Sequence, residues 1–215
     1  MKTWIKFCGT TSVEDAVAAA EAGADALGFI FAASKRRVTV QRAREILLET
    51  PECVERIGVF LDDNVEIVRR HVMELNLTGV QLHGEESTAA LSRILPDDRR
   101  KSLLIIKTII VKDGFTAERQ ADFDVEKDGV DAWLLDSGAG SGKTFDWGMV
   151  RTQLIGRQGR FIIAGGLTRQ NVGEAVRTLA PWGVDVVSGI ECEPGRKDRE
   201  KMKTFVAAVR EAERQ

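Results

Sequence analysis

The segment FIIAGGLTRQNVGEAVRTLAPWGVDVVSG, residues 161–189, contains the pattern that decides the fold. A short apolar run ends at Gly165-Gly166, and a second one ends at Ser188-Gly189. Between them, apolar residues recur at the three- and four-residue spacing of an amphipathic helix, after Thr168 as a candidate cap. The segment therefore predicts a strand, a helix and a second parallel strand, with glycines where each strand ends.

The same alternation extends outward over the whole chain. Eight short apolar runs, rich in branched and aromatic side chains, are separated by segments with helical period, as expected of strands buried on both faces. The runs begin at Thr3, Ala26, Ile57, Gly79, Leu103, Ala132, Phe161 and Val184. The 215 residues allow about 27 for each unit, which fits a closed barrel of ~200–250 residues. We therefore predict an α/β fold, a single-domain (β/α)8 TIM barrel over residues 1–215.

An open, doubly wound sheet is the alternative architecture. Such a sheet usually places its glycine-rich phosphate site directly after the first strand. Here the first turn is Cys8-Gly9-Thr10-Thr11, and the glycine pairs follow strands seven and eight, as in barrels that bind phosphate. The late glycines therefore favour the barrel.

Composition narrows the class of protein. The formal net charge is −2, with acidic and basic residues interspersed, which gives no electrostatic basis for binding nucleic acid or a membrane surface. No apolar run approaches the ~18 residues of a membrane span, and we expect no signal peptide. The three widely spaced cysteines favour reduced thiols in the cytoplasm. Because there are only two histidines and no CxxC pair, we expect no metal site.

Two potentially reactive residues stand at strand ends. Cys8 ends the first apolar run, and Asp136 ends the sixth. Because the carboxyl ends of all barrel strands meet at one mouth, we expect the thiol and the carboxyl group to face each other there. Such a pair can act as general base and general acid if its pKa values suit. A buried core cysteine and an aspartate that caps a turn are the alternatives.

Glycines at the last two strand ends indicate a phosphate site. Gly165-Gly166 and Ser188-Gly189 would let the backbone approach a phosphate, and the N–H groups of such turns favour an anion. Tight turns without a ligand are the alternative. Residues 137–144 resemble a nucleotide-binding P-loop, but that pattern needs a glycine where Ser137 stands. We interpret this loop as a mobile cover over a phosphorylated substrate.

Basic residues near the predicted mouth indicate an anion clamp. Ser34-Lys35-Arg36-Arg37-Val38 follows the second strand, where an arginine could hold a carboxylate with two hydrogen bonds. A solvated basic loop is the alternative. His83 ends strand four and is either a catalytic or orienting imidazole or a structural one. We expect His71 on a helix surface, and Lys107 either in the mouth or at its rim.

A set of short strings, taken in order along the chain, resembles the phosphoribosylanthranilate isomerase family, which comprises barrel enzymes of tryptophan biosynthesis. The strings are Lys6-Phe7-Cys8-Gly9-Thr10-Thr11, Gly28-Phe29-Ile30-Phe31, Ser34-Lys35-Arg36, Gly58-Val59-Phe60, Val80-Gln81-Leu82-His83-Gly84, Leu134-Leu135-Asp136-Ser137, Gly140-Ser141-Gly142-Lys143-Thr144-Phe145-Asp146-Trp147, Ala164-Gly165-Gly166-Leu167, Asn171-Val172, Asp185-Val186-Val187-Ser188-Gly189-Ile190-Glu191, Pro194-Gly195 and Lys197-Asp198. No single string is specific, but the ordered set is.

The resemblance implies a barrel without cofactor or metal that catalyses an Amadori rearrangement. The substrate N-(5-phosphoribosyl)anthranilate, a small molecule with a carboxylate and a phosphate, would become 1-(2-carboxyphenylamino)-1-deoxyribulose 5-phosphate. The implied general acid is Asp136 and the implied general base is Cys8, whose ordinary pKa near 8.5 would need only a modest lowering. The implied substrate-binding residues are Arg36, which would hold the anthranilate carboxylate, and Gly166, Ser188 and Gly189, which would hold the phosphate. We also expect His83, Gly142, Gly165 and Asp185 to bind the substrate.

The sequence leaves several alternatives open for the carboxylate-binding arginine, the function and the oligomeric state. A second arginine, Arg37, stands where the family often has an aromatic residue, so either arginine could hold the carboxylate. An isomerase of the histidine-pathway aminoaldose would use two aspartates, which Cys8 argues against. A non-catalytic barrel that binds a phosphate ligand would need neither Cys8 nor Asp136. Both a monomer and a homodimer are compatible with such a barrel.

Overall fold

Eight parallel strands form a closed barrel in the computed structural model, which describes residues 2–111, 129–138, 144–157 and 159–215. The barrel strands are β1 (Trp4–Cys8), β2 (Ala26–Ile30), β3 (Glu55–Phe60), β4 (Gly79–Leu82), β5 (Leu104–Ile110), β6 (Ala132–Asp136), β7 (Phe161–Ile163) and β8 (Gly183–Val186). Because β1 pairs in parallel with both β2 and β8, the sheet closes on itself. The predicted (β/α)8 barrel is confirmed, and the open sheet is excluded.

Helices lie between the other successive strands, whereas most of the connection from β5 to β6 lies outside the described residues. The helices are α1 (Val13–Ala22), α2 (Val40–Leu48), α3 (Val65–Glu74), α4 (Thr88–Ile94), α5 (Asp97–Ser102), α6 (Trp147–Leu154), α7 (Val172–Leu179) and α8 (Arg199–Ala212). A 3-10 turn (Ser188–Ile190) and an antiparallel hairpin of β9 (Glu191–Glu193) and β10 (Arg196–Lys197) lie between β8 and α8. In the part of the chain that the structure describes, no helix has the length and apolar character needed to cross a bilayer.

Short local signals set the ends of the first and last helices. The Ser12 side chain accepts a hydrogen bond from the Asp15 N–H, which caps the start of α1. The helix ends at Gly23, whose φ of +93° is the left-handed conformation that glycine tolerates. Asp198 caps α8 by accepting hydrogen bonds from two N–H groups of its first turn.

Two local predictions are wrong. Asn171, and not Thr168, occupies the N-cap position of α7, and the Asn171 side chain accepts a hydrogen bond from the Thr168 N–H at 2.8 Å. His71 is half-buried and not a surface residue, since its ring packs edge-on against the rings of Phe31 and Phe60. The error at His71 arises because Phe31 and Phe60, which pack against its ring, come from earlier strands of the barrel and not from the local sequence.

Alternate residues of the strands point into the barrel. On β1, Trp4, Lys6 and Cys8 face the interior, whereas Ile5 and Phe7 pack outward in the core shared with the helices. An apolar cluster fills the interior, consisting of Trp4, Ala26, Ile57, Ile106, Ala132, Leu134, Ile162 and Ala164. Polar groups are therefore concentrated toward the carboxyl ends of the strands, where the barrel can hold a ligand.

Candidate active site

A cavity of about 390 Å³ lies at the carboxyl ends of the strands. The predicted site residues that line it are Cys8, Arg36, His83, Asp136, Gly165, Gly166, Asp185 and Ser188. Gly189 is not part of the lining, and Gly142 lies outside the described residues. Residues from both ends of the chain therefore meet at the mouth that carries the reactive groups in barrel enzymes.

Cys8, the last residue of β1, is 3% exposed and lies against Gly28 of β2. A Cβ added at Gly28 would lie 2.7 Å from the Cys8 Sγ, so the glycine leaves room for the thiol. Burial raises the pKa of the Cys8 thiol, whereas the ammonium groups of Lys6 and Lys197 act to lower it. The pKa of this thiol therefore lies above its ordinary value, because the loss of hydration outweighs the two cations.

A buried polar network lies beneath Cys8. The Lys6 Nζ donates to Gln81 Oε1 and to Asp185 Oδ1, each at 2.8 Å, and Gln81 donates to Thr108 Oγ1 at 3.2 Å. The Lys6 side chain is fully buried, and the Asp185 side chain is 5% exposed. Asp185, a predicted substrate-binding residue, thus pairs with a lysine that sequence reasoning missed. The sequence feature that could have revealed this pair is Lys6 itself, a charged residue within an apolar strand, since a buried charge needs a partner.

Replacing Lys6 with methionine is expected to lower the free energy of unfolding by about 3–5 kcal/mol, because Asp185 would stay buried without its counter-ion. The double variant Lys6→Met/Asp185→Asn removes both charges and is expected to regain much of this loss. Urea denaturation at neutral pH measures both effects. A single variant as stable as the unaltered chain would show that the two residues are not energetically coupled.

Asp136, the last residue of β6, lines the same cavity as Cys8. Its Oδ1 accepts a hydrogen bond from the Gly138 N–H at 2.7 Å, and its carbonyl accepts one from the Val111 N–H at 2.8 Å. Burial raises the pKa of Asp136, and the hydrogen bond from Gly138 offsets only part of this effect. A carboxyl group with a raised pKa keeps its proton to higher pH, which suits a proton donor.

Of the two adjacent arginines, Arg36 lines the cavity, whereas Arg37 is exposed. The Nε and Nη2 atoms of Arg36 donate to the two carboxylate oxygens of Glu191, at 2.8 and 2.6 Å. Arg36 is therefore the arginine that can reach a ligand in the cavity. Sequence reasoning missed its partner, because Glu191 stands 155 residues further along the chain and no local pattern connects the two.

Two glycine turns form the part of the cavity after β7 and β8. Gly165 and Gly166 have φ values of +81° and +63°, which favour glycine. Gly189 packs so closely on the turn after β7 that an added Cβ would overlap the Leu167 carbonyl oxygen. Gly189 therefore brings the two turns together from outside the cavity, while Ser188 lines the cavity itself.

His83 and Lys107 differ in what they contact at the mouth. His83 follows β4 and lines the cavity, and its backbone N–H donates to the Phe60 carbonyl at 2.9 Å. The Lys107 Nζ donates to the carbonyls of Gly84 and Glu86, so it holds the loop after β4 and does not line the cavity. A ligand can therefore contact His83, whereas Lys107 supports the rim.

The cavity combines proton-transfer groups with anion-binding groups. The Cys8 thiol and the Asp136 carboxyl group can move protons to and from a ligand. Arg36 and the glycine turns can hold negatively charged ends of that ligand. Across residues 2–111, 129–138, 144–157 and 159–215, no three His, Cys, Asp or Glu side chains are grouped so as to hold a metal ion.

Known proteins resemble the chain over nearly its whole length. A family model described as N-(5'phosphoribosyl)anthranilate (PRA) isomerase matches residues 5–208. The N-(5'-phosphoribosyl)anthranilate isomerase of Bacillus cereus (strain B4264) is 42% identical over 212 residues, which cover 96% of this chain and 98% of the relative.

Solved structures show the same relationship. Phosphoribosyl anthranilate isomerase from Thermotoga maritima superposes with a TM-score of 0.82 at 36% identity, covering 97% of this chain and 99% of the other. Another such isomerase, in complex with reduced 1-(o-carboxyphenylamino)-1-deoxyribulose 5-phosphate, has a TM-score of 0.81 at 34% identity and the same coverage. The resemblance inferred from the sequence strings is confirmed, and the chain belongs to the N-(5'-phosphoribosyl)anthranilate isomerase family.

Proposed function

We propose that this chain is an aldose–ketose isomerase of tryptophan biosynthesis that converts N-(5-phosphoribosyl)anthranilate into 1-(2-carboxyphenylamino)-1-deoxyribulose 5-phosphate. Membership of the family supports this choice of substrate. The observation that carries the proposal is that a thiol, Cys8, and a carboxyl group, Asp136, line one cavity together with Arg36 and two glycine turns. The volume of about 390 Å³ is in the range of small-molecule sites.

The two anionic ends of the substrate match two parts of the cavity. The Arg36 guanidinium suits the anthranilate carboxylate, because it can donate two parallel hydrogen bonds. The turns at Gly165-Gly166 and Ser188-Gly189 suit the phosphate. Holding both ends would place the ribose between Cys8 and Asp136. A family relative binds the reduced form of the proposed product, which supports this arrangement.

Asp136 is the proposed general acid of ring opening. Its raised pKa keeps the carboxyl group protonated to higher pH than that of an ordinary aspartic acid. Asp136 donates its proton to the ribose ring oxygen as the C1′–O bond breaks, and the lone pair of the anthranilate nitrogen forms a C1′=N bond. The ring thereby opens to a protonated Schiff base with a new hydroxyl group at C4′.

Cys8 is the proposed general base of the next step. Its thiolate removes the proton from C2′, and the released electron pair forms a C1′=C2′ bond and neutralises the nitrogen, which gives an enolamine. A proton is then gained at C1′ and one is lost from the C2′ hydroxyl, which yields the ketone with no net change in atoms. The ammonium groups of Lys6 and Lys197 offset part of the free-energy cost of forming this buried thiolate.

Replacing Arg36 with methionine is expected to raise KM about tenfold to a hundredfold while changing kcat much less. The reason is that a charge-assisted contact to the carboxylate is lost, whereas Cys8 and Asp136 stay in place. Initial-rate kinetics measure the split between KM and kcat. The matched control is Arg37→Met, which removes an exposed neighbouring cation and is expected to leave KM unchanged. Equal effects at the two positions would contradict the role of Arg36.

Product identification tests the proposed reaction. The purified chain is incubated with N-(5-phosphoribosyl)anthranilate, and NMR spectroscopy is expected to show the aminoketose in an amount equal to the substrate consumed. The histidine-pathway aminoaldose is supplied in a parallel reaction. Turnover of that compound alone would overturn the assigned substrate, and binding of the anthranilate compound without conversion would indicate a non-catalytic barrel.

A further inference from the structure

Behind Arg36 lies a buried ion pair whose carboxylate, Glu191, has no role in the proposed reaction. The Glu191 carboxylate lies 3.1 Å from the Nζ of Lys197, and the two side chains are 4% and 1% exposed. Glu191 begins β9 and Lys197 ends β10, so the hairpin after β8 holds both. Neither residue lines the cavity, so direct contact with a ligand is left to Arg36 and the other lining residues.

Three oxygen acceptors hold Lys197 in place. Its Nζ donates to the Cys8 carbonyl at 2.6 Å, to Glu191 Oε1 at 3.1 Å and to the Val187 carbonyl at 3.5 Å. An ammonium group has three N–H donors, so this geometry is that of a charged lysine. These contacts tie Glu191 to the end of β1 and to the turn after β8, which are the strand ends that carry Cys8 and Ser188.

Glu191 in turn holds one edge of the Arg36 guanidinium. Its two oxygens accept hydrogen bonds from Nε and Nη2, and Oε1 also accepts one from the Gly195 N–H at 3.1 Å. Burial would raise the pKa of Glu191, but Arg36 and Lys197 hold it below the usual range, so the group is a carboxylate. A guanidinium held through Nε and Nη2 still has its Nη1–Nη2 edge available for a second carboxylate.

The net charge of Arg36, Lys197 and Glu191 is suited to binding one carboxylate. Arg36 and Lys197 are cations and Glu191 is an anion, so together they carry one excess positive charge. We propose that Glu191, held by Lys197, is a positioning residue that orients Arg36 toward the substrate carboxylate and thereby sets the preference for carboxylate-bearing substrates. This inference rests on the proposed function, in which Arg36 binds that carboxylate.

Charge and orientation predict opposite effects of Glu191→Gln on ligand binding. Removing the anion increases the positive charge beside the ligand, so Coulomb attraction alone would tighten the binding of a carboxylate. Loss of the fixed guanidinium orientation would weaken it. We expect affinity for reduced 1-(o-carboxyphenylamino)-1-deoxyribulose 5-phosphate to fall about tenfold to a hundredfold. Affinity for the same compound without its carboxyl group is expected to stay unchanged.

Isothermal titration calorimetry with these two compounds tests the inference without relying on turnover. The variants are Glu191→Gln and the double variant Glu191→Gln/Lys197→Met, which removes the lysine charge that the single variant leaves unpaired. The matched control is Glu193→Gln, because Glu193 lies two residues along β9 and is exposed beside Arg196. Circular dichroism shows that each variant is folded before titration.

The titrations separate this inference from the proposed function. The inference is supported if both Glu191 variants lose the preference for the carboxylated compound while Glu193→Gln keeps it. Unchanged or tighter binding of the carboxylated compound by the folded Glu191 variants would overturn it and leave the proposed function intact. An unaltered chain with no preference between the two compounds would overturn the role of Arg36, and this inference with it.

Discussion

Replacing Cys8 with alanine is expected to lower kcat by about 10²–10⁴-fold, because the variant lacks the group proposed to take the proton from C2′. The barrel is expected to stay folded, since the change removes one sulfur atom from a position that already lies against Gly28. Binding of reduced 1-(o-carboxyphenylamino)-1-deoxyribulose 5-phosphate is expected to persist, because Arg36 and the glycine turns are unaltered. Single-turnover kinetics and calorimetry measure the two effects separately.

The other two cysteines provide the matched controls. Cys53 and Cys192 are exposed, whereas Cys8 is buried at the cavity. The variants Cys53→Ala and Cys192→Ala are therefore expected to retain the kcat of the unaltered chain. A Cys8→Ala variant with undiminished kcat would contradict the assignment of Cys8 as the base.

Replacing Asp136 with asparagine is expected to lower kcat by about 10²–10⁴-fold and to stabilise the fold at neutral pH. The first effect follows because an amide cannot protonate the ring oxygen. The second effect follows because burial raises the pKa of Asp136, which means that the ionised carboxylate destabilises the folded state. Asparagine carries no charge and avoids this cost. The asparagine oxygen can still accept the hydrogen bond that Asp136 accepts from the Gly138 N–H.

The pH dependence of this stabilisation has a definite sign. Below the pKa of an unfolded aspartic acid, about 3.9, the carboxyl group is protonated in both states and the variant gains nothing. As the pH rises through the higher folded pKa, the folded chain acquires the cost of a buried carboxylate, and the advantage of Asp136→Asn grows to its full size. Urea denaturation of both chains at about pH 3 and pH 7 measures the difference. A variant less stable than the unaltered chain at pH 7 would contradict a raised pKa.

The barrel and the two proposed catalytic positions could be predicted because they depend on local patterns. Apolar runs of strand length alternate with capped helices, and the strand ends of a parallel barrel must converge. Cys8 and Asp136 were identifiable as the residues at which two of these runs stop. Arg36 was found together with Arg37, and only the fold shows which of the two lines the cavity.

The remainder of the site depends on contacts between distant parts of the chain. Lys6 with Asp185 and Arg36 with Glu191 are ion pairs between residues far apart in sequence, and no spacing rule connects their members. The raised pKa of Cys8 follows from how completely the closed barrel removes water, which the sequence does not quantify. Gly189 illustrates the same limit, since its role depends on the close approach of the turn after β7.

The most direct test of the central claim is an assay of the purified chain with freshly generated N-(5-phosphoribosyl)anthranilate. Loss of the fluorescence of this substrate measures its conversion, and the Cys8→Ala variant is assayed in parallel. Enzyme-dependent decay that is reduced about 10²–10⁴-fold in the variant is the predicted result. Absence of decay with the folded, unaltered chain, or equal decay with both chains, would contradict the account.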